Sequence, residues 1–447
     1  MNAAQKAEVR VADDKLVLTE GQVAARLEIR KAAKPKKRHL LSGSAGTGKT
    51  TLVGLVVADF LKAQKKVAVC APTHKAVAVL ATKLSAAGVS APCTTIHSLL
   101  SLEPQIDTSG KQVFRRRKRA DPVDADVVVV DECSMLDASL VGHIERHLHH
   151  CFVLYVGDPA QLPPVNEPDS ATFATPSRSH LTEIVRQEAD NPILVAAQAI
   201  RDTQDHDDME WDWCRSAKVP PKGVYLPGKA IDLWMQKAFM SAEFKRDNDR
   251  FRYLCWRNAK VHAINAKIRR WLYGDTEFPL NPGEKALIRA PIIKDKTIAL
   301  ATNEEAYVLS IEAGTHNQVF PRRFTAPRWN VEIPVWKMTL VRDDHTEVDV
   351  MMPIDDALIE DVNARLVAEA KGDHERWRDF YDFRGEMAKL QAVYSLTIHN
   401  AQGSTFGTVF LDVADIRGRG KSDISEMKRL LYTGATRPSE SLILVGV

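Results

Sequence analysis

The chain reads as an α/β protein with two parallel-sheet domains and a small antiparallel insertion. Four short apolar runs rich in β-formers, RHLLSG (38–43), KVAVCAP (66–72), DVVVVDE (126–132) and CFVLYVGD (151–158), are separated by helical or longer irregular stretches. Near-continuous apolar runs, rather than alternating ones, belong to parallel strands covered on both faces. A second set, FRYLCW (251–256), AVYSLT (392–397), TVFLDV (408–413) and SLILVG (441–446), predicts a second sheet of the same kind. Between Gly283 and Pro353 the pattern changes to alternation punctuated by proline and glycine, in EKALIRAPI, EAYVLSIEAG, PVWKMTLVR and TEVDVMMPI. That pattern predicts a small antiparallel barrel inserted into the second domain. A charged helix carrying aromatics follows it.

Size and charge are permissive. With 447 residues and 45% apolar composition the chain can build several cores. No stretch approaches the roughly 18 apolar residues of a membrane span. Met1–Arg10 is polar, so a cytosolic protein without membrane contact is expected. The six cysteines show no CxxC spacing, which favours reduced thiols over a structural zinc site. A net charge of only +3 does not announce a nucleic-acid partner. Local charge is stronger: Lys111–Arg119 holds six cations and no acid, and 205–212 holds five acids; the acidic run reads as a solvated loop, and for the basic run a solvated loop is the bland reading.

The chemistry begins at GSAGTGKTT. Gly43, Gly48, Lys49 and Thr50 fit GxxxxGK[ST] between an apolar strand and a helical pattern, TTLVGLVVADFLK. In that context the residues Gly43, Ser44, Ala45, Gly46, Thr47, Gly48, Lys49, Thr50 and Thr51 form a turn whose backbone N–H groups wrap phosphate at a helix N-terminus. Lys49 then reaches the β and γ phosphates, and the Thr50 hydroxyl ligands Mg2+. Asp131 and Glu132 follow four apolar residues, so they emerge at the carboxyl edge of a strand, where ligands of parallel sheets gather. Asp131 is expected to hold Mg2+ and Glu132 to polarise a water for in-line attack. ATP hydrolysis is the leading reading.

Eight further motifs in order, LTEGQ (18–22), APTHKAV (71–77), TTIHSLL (94–100), DECSM (131–135), GDPAQLPPV (157–165), LTEIVRQ (181–187), SLTIHNAQGSTF (395–406) and LLYTGATR (430–437), resemble the superfamily 1 helicases. The resemblance is to the 5'-to-3' branch of Dda- and RecD-like enzymes and covers nearly the whole chain. It implies two RecA-like P-loop domains, with a β-hairpin insertion in the first and an SH3-like β-barrel in the second. The implied bounds are 1–190 for the first domain with its 100–125 hairpin, 191–280 and 391–447 for the second, and 281–390 for the barrel with its helical extension.

By the same resemblance Gln22 reads the adenine edge, Gly403 lines the nucleotide site and Gln161 senses the γ phosphate. Arg186 and Arg437 bring planar guanidinium forks to the charge that hydrolysis spreads over phosphate oxygens. Pro438 departs from the family's small or basic residue at that place, and as a helix breaker it is expected to end the helix early. Thr73, His74, Lys75, Thr95 and His97 in the first domain, with Asn258, Thr397, His399 and Ser404 in the second, are implied contacts to a DNA backbone. The DTSG turn (107–110) reads as a hairpin, and two readings of it stay open: a plain surface hairpin, or the pin that splits a duplex with Phe114 as its wedge. Trp256, Trp271, Trp377, Phe380 and Tyr381 are candidate base-stacking surfaces, although the i, i+3, i+4 spacing of the last three is also that of a packing face. The implied partners are single-stranded and forked duplex DNA and a single-strand-binding protein or replication proteins, with the chain as a monomer in the cytoplasm. Two other classes stay open on the residues alone, a DNA-stimulated ATPase switch or clamp that does not travel and a small-molecule kinase on the same P-loop.

Overall fold

The computed structural model describes residues 8–11, 14–106, 112–185, 191–203, 218–219, 222–294, 297–321, 328–372, 376–420 and 422–447. The chain divides into two compact units. One comprises residues 1–103, 115–264 and 395–447, the other residues 104–114 and 265–394.

The larger unit contains two six-stranded sheets. The strands of the first lie in the order Arg178–Leu181, Arg38–Gly43, Phe152–Gly157, Val127–Val130, Val67–Ala71, Cys93–Thr95, and every pairing is parallel. The all-valine strand shows why its sequence does not alternate. Val127 and Val129 pack into a core with Leu52, Val56 and Leu154, and Val128 and Val130 pack into the core on the other face with Leu136, Ile144 and Tyr155. Each such valine contributes about 1.5–3 kcal/mol by leaving water, so the strand is fixed by both layers of helices.

The second sheet runs Lys218–Val219, Lys222–Tyr225, Pro438–Val445, Phe406–Asp412, Phe251–Cys255, Ser395–Thr397, parallel except for its first pair. One expectation needs correcting here. AVYSLT is not a single strand: Ala392 ends Leu390–Ala392, which pairs with Lys285–Ile288 in the smaller unit, while Ser395–Thr397 pairs with Phe251–Cys255. A bend at Val393–Tyr394 separates the two. The run is buried throughout, so its burial carries no sign of a change of sheet.

In the smaller unit the strands Glu347–Pro353, Trp329–Val341, Glu305–Phe320, Lys285–Ile288 and Leu390–Ala392 form one antiparallel sheet. Two of them make a long ribbon, and the helices Asp356–Gly372 and Trp377–Glu386 cover its apolar face through Ile359, Val362, Leu366, Phe380 and Phe383 against Phe320, Ile333 and Val335. Trp377 and Tyr381 pack on the same cluster, with ring centroids 5.9 Å apart. The packing-face reading of these aromatics therefore holds. The strands Leu102–Ile106 and Gln112–Arg116 pair as a hairpin; its turn lies outside the described residues. Among the described residues no helix is long and apolar enough to cross a membrane.

Candidate active site

The phosphate loop joins the strand Arg38–Gly43 to the helix Lys49–Lys62. Gly48 caps that helix in the left-handed region (φ 74°), and a Cβ there would stand 2.4 Å from the Gln22 amide nitrogen. Only glycine suits both demands. Gln22 is buried and braces the loop: its Nε2 donates to the Thr47 carbonyl (3.0 Å), and its Oε1 accepts from the Thr19 N–H (3.0 Å) in a capping box. Lys49 Nζ donates to the Gly43 and Ser44 carbonyls at 2.6 and 2.9 Å, and the Thr47 hydroxyl donates to the Ser44 carbonyl. Thr50 is half-buried in the first turn of the helix and Thr51 is exposed. Gly46 accepts through its carbonyl from the Val185 N–H.

Asp131 follows the all-valine strand directly. Burial, and then the charge of Glu132, push its carboxyl up to about 6, against the opposing pull of the Glu132 N–H, Lys49 and Lys83. Its Oδ1 accepts from the Glu132 N–H (2.9 Å). Glu132 itself has φ 52°, a left-handed backbone that a residue with a side chain adopts rarely and at a cost. Strain of this kind gathers at working sites.

The loop after the strand Phe152–Gly157 carries Gln161, which is buried and whose Oε1 has no hydrogen-bond partner. An orphaned buried oxygen costs about 1–3 kcal/mol unless a ligand satisfies it. Three side chains attached to the second sheet hold this loop. The Thr433 hydroxyl accepts from the Leu162 N–H (3.2 Å), Gln402 Nε2 donates to the Leu162 carbonyl (3.1 Å), and the Tyr432 hydroxyl donates to Asp158 Oδ2 (2.6 Å). The Tyr432 oxygen also accepts from the Ala45 N–H of the phosphate loop (3.0 Å). None of these four side chains, Tyr432, Asp158, Thr433 or Gln402, was assigned a role from sequence, although each lies within a recognised motif.

Arg437 follows the helix Ile424–Ala435 and its C-cap Thr436, and Pro438 opens the next strand. Its guanidinium is buried and donates to the Thr433 carbonyl, the Ser404 carbonyl and the Thr436 hydroxyl at 3.0, 3.3 and 2.9 Å. Arg186 lies outside the described residues. Gly403 (φ 71°) sits against the first domain: a Cβ there would be 2.9 Å from the Ala76 Cβ and 3.4 Å from the Thr73 hydroxyl.

The residues expected to face DNA lie at the carboxyl edges of the two parallel sheets. Thr73 follows the strand Val67–Ala71, and Thr95 ends Cys93–Thr95. Both are N-caps, accepting from the Ala76 and Ser98 N–H groups, and the Thr95 hydroxyl also donates to Ser98 Oγ at 2.9 Å. His74 opens the helix His74–Ala86. Lys75 is 3.4 Å from Asp249 and lies 4.7 Å over the Phe406 ring, so it joins the two domains. In the second domain exposed Asn258 follows Phe251–Cys255, and buried Thr397 accepts from the Asn400 N–H. Burial lowers the imidazole pKa of both His97 and His399. Ser404 is buried. Phe114 is partly exposed on the hairpin strand Gln112–Arg116. Trp256 precedes Arg257, and both backbone N–H groups donate to Asp415; Arg419 lies 5.9 Å from the Trp256 ring. Trp271 carries Lys267 5.5 Å from its ring.

A P-loop on one parallel sheet, hydrogen-bonded by side chains from a second, defines a two-domain nucleotide-hydrolysing enzyme. Residues 17–215 match the AAA domain family and residues 392–445 the UvrD-like helicase C-terminal domain family. The ATP-dependent DNA helicase dda of Enterobacteria phage T4 is 26% identical over 94% of this chain and 97% of its own length. The ATP-dependent RecD2 DNA helicase of Deinococcus radiodurans is 35% identical over 36% of this chain and 21% of its own. The fold is that of the Bacteroides Pif1 structure bound to single-stranded DNA, with a TM-score of 0.51 at 16% identity over 96% of this chain and 92% of that one. The chain is thus an ATP-hydrolysing enzyme that carries an AAA domain and a UvrD-like helicase C-terminal domain and is similar over nearly its whole length to a Dda-type helicase.

Proposed function

We propose that this protein is a Mg2+- and ATP-dependent DNA helicase that moves 5' to 3' along one strand of a forked duplex. The observation that carries the reading is the seam itself: the phosphate loop and the Gln161 loop are held by side chains of the second domain, between the two sheet edges that carry the strand-facing residues. A change at the nucleotide is thereby a change in how the two edges sit.

In this reading Lys49 leaves the Gly43 and Ser44 carbonyls for the phosphates. Thr50 and Asp131 hold the Mg2+ ion, which neutralises phosphate charge when bound. The site suits a cation, because burial and the neighbouring Glu132 already make the ionised Asp131 carboxylate costly. Glu132 takes the proton of the attacking water, and the unpartnered Gln161 oxygen accepts from that water. Arg437, with Arg186, stabilises the charge that develops on the terminal phosphoryl group. Thr73, His74, Lys75, Thr95 and His97 on one edge and Asn258, Thr397, His399 and Ser404 on the other alternate their grip on the backbone, while the hairpin with Phe114 parts the strands. The chain works as a monomer in the cytoplasm, beside a single-strand-binding protein or replication proteins.

Strand displacement on duplexes with a 5' or a 3' single-stranded tail tests direction, and unwinding confined to the 3' tail overturns it. ATPase rate against oligonucleotide length tests travel: a motor gives a rate that grows with length, and a clamp gives one that does not.

A further inference from the structure

The Tyr432 hydroxyl is placed where a phosphate loop ordinarily meets only its ligand. It is buried with its ring 2% exposed, it accepts from the Ala45 N–H, and it donates to Asp158, itself 1% exposed. Burial beside that carboxylate raises the phenol pKa, so it stays a donor at every working pH. The helix that presents it, Ile424–Ala435, is the one whose end presents Arg437. On the preceding reading of the seam, we infer that Tyr432 is a positioning residue for hydrolysis, a hydroxyl supplied by the second domain that sets the shape of the first domain's phosphate loop.

The chemistry follows from the direction of the two bonds. Asp158 accepts the phenolic hydrogen and so turns the oxygen lone pairs toward Ala45. The Ala45 N–H then has its partner in the other domain, and the loop can keep this geometry only while the helix Ile424–Ala435 stays seated. When that helix shifts, the tyrosine hydroxyl and Arg437, which follows the helix, move together. Domain position is thus read at the phosphate loop through a hydrogen bond, in addition to whatever Arg437 contributes.

Tyr432→Phe keeps the buried ring and removes only the hydroxyl. ATPase kinetics are measured with and without saturating oligodeoxythymidylate, alongside the melting temperature. A charge-assisted buried bond lost from the transition state predicts a roughly tenfold fall in DNA-stimulated kcat, with the KM for ATP moving less than about threefold. Asp158 Oδ1 also accepts from the Ala160 N–H (3.0 Å), so Asp158→Ala costs at least as much as Tyr432→Phe, and Asp158→Asn, which keeps an acceptor, costs less than Asp158→Ala. The double variant Tyr432→Phe/Asp158→Ala is no worse than Asp158→Ala alone, because the phenol–carboxylate bond is already absent there. Full DNA-stimulated kcat in Tyr432→Phe, or additive losses in the double variant, overturns the inference. A fall in kcat that tracks a lowered melting temperature in every variant does so as well. Failure of the helicase reading looks different: wild-type ATPase then shows either no stimulation by DNA or a stimulation that does not grow with strand length.

Discussion

Gln22→Ala separates two jobs that one side chain performs. A glutamine amide has two N–H donors and two lone pairs. The protein uses one donor on the Thr47 carbonyl and one lone pair on the Thr19 N–H, each at 3.0 Å. One donor and one acceptor are left, the pair that matches N7 and the N6 amino group of adenine. A bidentate Gln–adenine pair is worth about 1–3 kcal/mol of discrimination, so its loss predicts a roughly five- to 150-fold rise in KM for ATP relative to GTP. Loss of the cap and of the bond to Thr47 adds about 1–3 kcal/mol of destabilisation that both nucleotides share. The assay is steady-state ATPase and GTPase at fixed oligonucleotide, with KM for each nucleotide in wild type and variant. The expected outcome is an ATP preference that collapses. A parallel rise for both nucleotides refutes base reading and leaves Gln22 as a brace for the phosphate loop alone.

Three further outcomes follow from the geometry. Glu132→Gln loses its proton acceptor, and hydrolysis should fall about 10²–10⁴-fold while the protein still binds ATP and strand in a filter assay; a fall in ATP affinity of the same size contradicts the assignment. Replacing exposed Arg115, Lys118 and Arg119 by glutamine should flatten the slope of log affinity against log salt by about 2, at roughly 0.7 per single-strand phosphate contact; an unchanged slope makes the region a plain surface hairpin. His39 is held between the Ser177 and Ser179 hydroxyls at 2.8 and 2.9 Å, and burial, opposed by Glu28, keeps its pKa below the ordinary histidine value. The unfolded chain therefore takes up the proton first, and this stability is present above about pH 6.5 and lost as pH falls below it. Melting temperatures at pH 7.5 and 5.5 should show a smaller acid-side loss in His39→Gln than in wild type.

Most strands were legible because buried parallel strands write themselves as unbroken apolar runs; the valines at 127–130 face two cores and leave no polar face to blur the signal. The same property concealed the break in AVYSLT, where both halves are buried in different sheets. The phosphate loop and the two carboxylates were legible because their spacing is set by local backbone geometry. Tyr432 was not, because its contact with Ala45 spans 387 residues and its ring looks in sequence like any other apolar residue of an amphipathic helix. Trp377, Phe380 and Tyr381 carry the spacing of a packing face, and that is how they are used.

The central claim is that groups from both domains act on one triphosphate. A crystal structure with ADP and a metal-fluoride mimic of the terminal phosphoryl group tests it most directly. The account predicts that the Arg437 guanidinium leaves the Thr433 and Ser404 carbonyls and the Thr436 hydroxyl and donates to the fluoride ligands. An Arg437 still held by those three oxygens, with the mimic contacted by first-domain residues alone, contradicts it.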